Sequence, residues 1–144
     1  MKQGTDYIGV TVSFLCFDNE GRLLLGKRGQ NARDEHGRWD NGGGGQELGD
    51  SIELTLLKEL KEEYCVEPLS FEFLGVHDVF REQNGVPTHW ICIMYKVLVD
   101  PGQVRNGEPH KIDEIGWFSL DNLPEPLHSD LPNTIERYKA HLPC

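Results

Sequence analysis

Four consecutive glycines, Gly42 to Gly45, lead through Gln46-Glu47-Leu48-Gly49-Asp50-Ser51 into a segment that reads as a helix bearing three carboxylates. No other stretch restricts the fold so tightly. Glycine brings no side chain to a core, but it lets another group come close to the backbone. In the segment that follows, Leu56, Leu57, Leu60 and Tyr64 recur at helical spacing, so one side is built to pack on a sheet. Asp50 with Glu53 has the pattern of a capping box and sets the helix start near Asp50. Glu59, Glu62 and Glu63 stand at i, i+3 and i+4, hence on one face. On a bare helix, three like charges so placed are mildly destabilising and make a solvated acidic face. A divalent cation reverses the sign. Mg²⁺ and Mn²⁺ take hard oxygen ligands and keep several waters, which suits carboxylates turned toward an anionic substrate.

Around this stretch the chain alternates between strand-like and helical patterns. Residues 7–17 are β-branched and aromatic, 18–21 form a turn, and 22–28 return as a second strand, so the two are expected to pair as a hairpin. Residues 29–38 read as a polar loop, and the glycine run as loop continuing to the helix. Residues 71–81 and 89–99 read as two further strands about the turn former Gln83-Asn84-Gly85. Residues 100–111 form a polar loop, 115–120 a short strand, and 131–141 a closing helix after a proline-rich run. Helices interspersed with strands in this order predict an α/β fold, an α/β/α sandwich around a mixed β-sheet.

With 144 residues the chain suits a single domain, 1–144, and its 38% apolar and 26% charged content suits a globular one. A net charge of −10 argues against duplex nucleic acid as a partner, because tracking phosphates needs concentrated Lys and Arg. It leaves room for a small phosphate ligand held through metal ions. Cys16, Cys65, Cys92 and Cys144 show no metal-site spacing and are expected to be reduced, which with no signal-like or membrane-spanning apolar run points to a cytoplasmic protein without a membrane partner.

The stretch 44–66 resembles the signature of the Nudix (MutT-like) hydrolase family, G-x5-E-x7-R-E-U-x-E-E-x-G-U, where U is bulky and aliphatic. Gly44 opens it, Asp50 takes the first acidic position, Lys58 the Arg position, then Glu59, Leu60, Glu62 and Glu63, with Cys65 and Val66 at the end. Trp39 before the glycines, Glu108-Pro109, and Glu114-Ile115-Gly116-Trp117-Phe118 resemble further family segments. The resemblance implies the sandwich fold and a Mg²⁺-dependent pyrophosphohydrolase, with Mn²⁺ as a substitute metal. Its substrate would be a small nucleoside diphosphate linked to another moiety: a nucleoside triphosphate, a nucleotide sugar or ADP-ribose. It also implies Glu59, Glu62 and Glu63 as metal ligands, one of them the base (Glu59 is the choice), with the Gly43 carbonyl and the later Glu108 completing the metal set. A homodimer is an expectation from the resemblance alone. Three positions depart from the pattern. Asp50 is shorter than Glu, Lys58 lacks the planar fork of Arg, and Cys65 stands where the family has Gly. Lys58 is expected to organise Asp50 or Glu47.

The substrate pocket is less legible. Lys27, Arg28, Arg33 and Arg38 flank the loop before the glycines and are candidates for phosphate oxygens; surface solubility is the competing role for each. Phe14, Phe80 and Trp90 are candidates to stack on a nucleobase, against a role in the core. Trp39 and Trp117 are structural or pocket-lining, and His77, His89 and His110 have no assigned role. Two other functions compete with hydrolysis. A catalytically weakened nucleotide-binding or regulatory module would account for Asp50, Lys58 and Cys65; a diphosphate isomerase, also similar in fold, would account for the basic loop before a Trp.

Overall fold

The computed structural model describes residues 1–143; Cys144, expected as a reduced thiol, lies outside them. Seven strands form one sheet: β1 (Gly9–Phe17), β2 (Leu23–Arg28), β3 (Trp39–Asp40), β4 (Gly42–Gly45), β5 (Ser70–Gln83), β6 (Val86–Leu98) and β7 (Ile112–Phe118). Two helices, α1 (Ile52–Tyr64) and α2 (Leu131–Tyr138), pack on it. The main path runs β3-β2-β1-β6-β5, with β4 paired to β1 and β7 to β2. β1 is parallel to β6 along its whole length and antiparallel to β4, so the sheet is mixed.

Strand alternation sorts the core into two layers. Val12, Phe14 and Cys16 of β1, with Ile93, Tyr95 and Val97 of β6, pack under Leu56, Leu60 and Tyr64 of α1. Leu15 and Phe17, with Cys92 and Met94, face the other way onto Leu131 and Tyr138 of α2. This is the expected α/β/α sandwich. Cys16, Cys65 and Cys92 are free thiols, the first and last of them buried. No helix among the described residues is long and apolar enough to cross a membrane.

Several elements differ from the sequence reading. The β1–β2 hairpin is nearly absent: the two strands meet only at Phe17 and Leu23, because β2 pairs with β7 over most of its length and with β3 at Gly26 and Lys27. The glycine run is a strand, not a loop; its backbone hydrogen-bonds to β1 although it has no side chains to recommend it. Helix α1 starts at Ile52, with Ser51 rather than Asp50 as its cap: Ser51 Oγ accepts from the Leu54 N–H at 3.1 Å. The β5–β6 hairpin forms as expected, with Asn84 and Gly85 both at positive φ in the turn. β7 begins three residues earlier than expected, at Ile112.

Candidate active site

Leu56 and Leu60 are fully buried against the sheet, which fixes the rotation of α1 and directs Glu59 and Glu63 at strand β4. The missing side chains explain how the groups meet. A Cβ on Gly44 would overlap the Glu59 carboxyl, and one on Gly42 would lie 2.7 Å from Glu63 Oε2. The Gly43 N–H donates to Glu63 Oε2 at 3.0 Å. Glycine is therefore required here for close approach, and the helix carboxylates lie against bare backbone.

Burial, reinforced by the charges of Glu62 and Glu108, pushes the Glu59 carboxyl up to about 7. Burial and the neighbouring Glu59 hold Glu63 well above the usual carboxylate range, against the opposing pull of the Gly43 N–H. Glu62 is exposed. Glu108 acts on both Glu59 and Glu63 through its charge, so the loop before β7 delivers it to the same place. That loop is docked on the end of α1: the Arg105 and Gly107 N–H groups donate to the Tyr64 and Glu63 carbonyls, at 3.0 and 2.8 Å. A Cβ on Gly107 would overlap the Glu62 carbonyl oxygen. Sequence reasoning missed Gly107, whose only signal is its place in Asn106-Gly107-Glu108-Pro109. Among the described residues no three such side chains converge closely enough to hold an ion as they stand. The donor set nevertheless fits a hard dication: oxygen ligands only, partly buried, with mutual repulsion that a cation would relieve.

The supporting residues tolerate the sequence departures. Lys58 Nζ donates to Asp50 Oδ2 at 2.8 Å and lies 3.9 Å from Glu47. The shorter acid and the unforked base therefore still meet. Cys65 sits left-handed at φ 57°, ψ 32°, closing α1 with its N–H on the Lys61 carbonyl, where a non-glycine residue costs about 1 kcal/mol.

A cleft of about 320 Å³ opens on the α2 side of the sheet and reaches β4 and Glu63. Arg28 and Arg33 line it; Lys27 and Arg38 do not. Lys27 lies 3.8 Å from Glu114, and Arg38 donates to the Leu127 carbonyl, so the structure does not bring these two candidates to the cleft. Arg28 is engaged internally, with Asp34 at 3.0 Å and Asp40 at 3.7 Å. Arg33 is exposed and has neither an ion pair nor a side-chain hydrogen bond among the described residues. Of the aromatic candidates, Phe14 is core, packed edge-on to Tyr64. Phe80 is 70% exposed and lies over His89, away from the cleft. Trp90 alone of the three lines the cleft. Trp39 is buried against Phe118.

Sequence reasoning also missed Glu35, at φ 48° in the 29–38 loop. Its carboxylate pairs with Arg81 of β5 and with His128 at 2.9 Å, and accepts from the Ser129 N–H and hydroxyl at 2.9 and 2.8 Å. Burial pushes Glu35 up, but those donors and the Arg81 charge outweigh it and leave the carboxyl below its usual range.

The chain is similar to known proteins in both sequence and fold. The family model of the NUDIX domain matches residues 8–138. The ADP-ribose pyrophosphatase of Methanocaldococcus jannaschii is 31% identical over 109 residues, 75% of this chain and 60% of that one. The oxidized purine nucleoside triphosphate hydrolase of Danio rerio is 31% identical over 122 residues, 72% of this chain and 62% of that one. The chain thus spans about three fifths of the length of these two relatives. The crystal structure of a MutT NUDIX hydrolase from Burkholderia pseudomallei superposes with a TM-score of 0.79 and 29% identity, over 91% of this chain and 98% of that one. With a family match across nearly the whole chain, this protein belongs to the NUDIX domain family.

Proposed function

We propose that the protein is a Mg²⁺-dependent pyrophosphohydrolase that cleaves the diphosphate linkage of a nucleoside diphosphate joined to another moiety. The observation that carries this reading is the juxtaposition of Glu59 and Glu63, both raised in pKa, with a side-chain-free strand. The names of the Methanocaldococcus and Danio relatives, a pyrophosphatase and a nucleoside triphosphate hydrolase, fall within the same reaction class.

Glu59, Glu62, Glu63, Glu108 and the Gly43 carbonyl are the assigned ligands. A bound dication would neutralise phosphate charge and make water a better nucleophile. Among the chain's own groups, Glu59 is assigned the proton of the attacking water, because it is the carboxyl whose affinity for a proton suits neutral pH. Lys58 holds Asp50, and through it the turn that enters α1. Gly42 and Gly44 keep the approach open. Arg33 lines the cleft without an ion pair among the described residues and is assigned to phosphate oxygens; Arg28 shapes the loop that carries it. The intact Lys58–Asp50 pair favours turnover over a weakened binding module.

The test is a substrate panel with Mg²⁺ or Mn²⁺: nucleoside triphosphates and diphosphates, oxidised dGTP, ADP-ribose, nucleotide sugars and dinucleoside polyphosphates. Metal-dependent turnover of one class, reduced at least 100-fold in Glu62→Gln, is the expected result. Saturable nucleotide binding with no turnover of any compound would instead establish the binding module.

A further inference from the structure

Across the sheet from β4, the cleft is floored by Trp90, Cys92 and Met94 of β6 and by His77 and Val79 of β5. Trp90 pairs in register with Gly9 on one side and Val79 on the other, and His77 pairs with Cys92. His77 is therefore a diagonal neighbour of Trp90 on the same face, about 7–8 Å away. A Cβ on either Gly4 or Gly9 would overlap the Trp90 ring, so two bare backbone positions seat the indole. Val79 beside it makes an apolar surface, and the His89 N–H donates to the Gly4 carbonyl at 2.9 Å, tying the N-terminal turn down.

His77 is oriented. Its Nδ1 lies 2.7 Å from the Tyr138 hydroxyl. Tyr138 is only 6% exposed, and among the described residues its hydroxyl has no other partner, so its proton goes to His77 Nδ1. The imidazole proton is then on Nε2, which is left to donate. Burial, with Arg137 nearby, lowers the pKa of His77 and keeps the ring neutral. Asp130, whose charge reaches His77, also lines the cleft and offers an acceptor.

We infer that this end of the cleft is a nucleobase subsite, in which Trp90 supplies the stacking surface and His77, positioned by Tyr138, donates a hydrogen bond to the base. The inference rests on the proposed nucleoside diphosphate substrate. The spacing agrees: β4, β1, β6 and β5 are adjacent in that order, Trp90 is two residues along the strands from the level of Gly45, and His77 is level with Gly45. At about 4.8 Å per strand and 3.3 Å per residue, this places them roughly 12 and 14 Å from the near end of β4. A diphosphate at β4 can thus extend its nucleoside over β1 to Trp90.

The experiment is calorimetric binding of two uncleavable probes in Mg²⁺ to the whole protein: an α,β-methylene nucleoside diphosphate, adenine or guanine, whichever binds tighter, and methylenediphosphonate, which has no base. Trp90→Leu and His77→Leu are each expected to weaken the nucleotide about 10-fold and to leave methylenediphosphonate within twofold. His77→Gln, which keeps a donor near the Nε2 position, is expected to retain most of the affinity. Tyr138→Phe is expected to raise KM without lowering kcat. Circular dichroism and melting confirm folding, with Trp90→Phe as the milder variant should Trp90→Leu misfold. Equal losses for both probes, or no loss for either, overturn the subsite. If the wild-type protein turns over the substrate panel while these variants bind normally, only the subsite fails. If the wild type binds neither probe and cleaves nothing, the functional reading fails with it.

Discussion

Glu59 concentrates the chemistry of the site into one titration. Its carboxyl stands at about 7 because burial penalises the charge and Glu62 and Glu108 repel it. An acid whose folded pKa is raised binds more protons folded than unfolded, so the fold loses stability as pH rises from about 4.3, the unfolded carboxylate value, through 7. In metal-free protein, carbon-detected NMR of the Glu59 carboxyl should give a midpoint near 7, and melting temperature should fall across that window. Added Mg²⁺ should stabilise the protein more at pH 8 than at pH 5. A midpoint near 4.3 would remove the electrostatic basis for the assigned base. Lys58 shows the opposite case: its hydrogen bond to Asp50 raises its pKa, so the ammonium stays charged and the contact is kept.

At the level of elements, β4 is both the least legible strand and the one the site depends on. Glycine disfavours strands, and the sequence pattern suggested a loop; tertiary pairing of Gly42–Gly45 with Phe14–Thr11 overrides that preference. The strand's value lies in what it lacks. In Gly44→Ala the new Cβ would overlap the Glu59 carboxyl, so the side chain must swing aside. Turnover should fall at least 100-fold while melting stays within a few degrees, because β4 keeps its backbone bonds; wild-type turnover would show that Glu59 need not lie against the strand. Other elements were readable because their signals are local: the Asn84-Gly85 turn, the β-branched runs of β1 and β6, the apolar stripe of α1. The parallel pairing of β1 with β6 and the preference of β2 for β7 were not, since register between strands that are remote in sequence leaves no local mark. The cap on α1 moved by one residue because Asp50 is engaged with Lys58, leaving Ser51 to accept the helix N–H.

For the molecule as a whole, helical spacing put Glu59, Glu62 and Glu63 on one face and the family resemblance gave that face a role, whereas the cleft was legible from neither, because its walls come from segments far apart in the chain. Glu35 joins three of them: the 29–38 loop that carries Arg33, strand β5 through Arg81, and the turn before α2 through His128 and Ser129. Arg81 reaches Asp34 and Asp130 as well, so one guanidinium and one carboxylate share the junction. Glu35→Gln keeps the shape but removes the charge that Arg81 opposes and the oxygen to which His128 Nε2 donates, and should cost about 2 kcal/mol, or about 5 °C in melting temperature. The sign with pH follows from the lowered pKa of Glu35. Its contribution is complete above the unfolded carboxylate value of about 4.3 and is lost as pH falls through the lower folded value. The gap between wild type and variant should therefore be full at pH 7 and close progressively below about pH 4. Because the same junction anchors the loop bearing Arg33, the variant should also raise KM more than it lowers kcat. A gap that persists unchanged into acid would mean that Glu35 works through shape rather than charge, and the loop would then owe its position to Arg28 and Asp34.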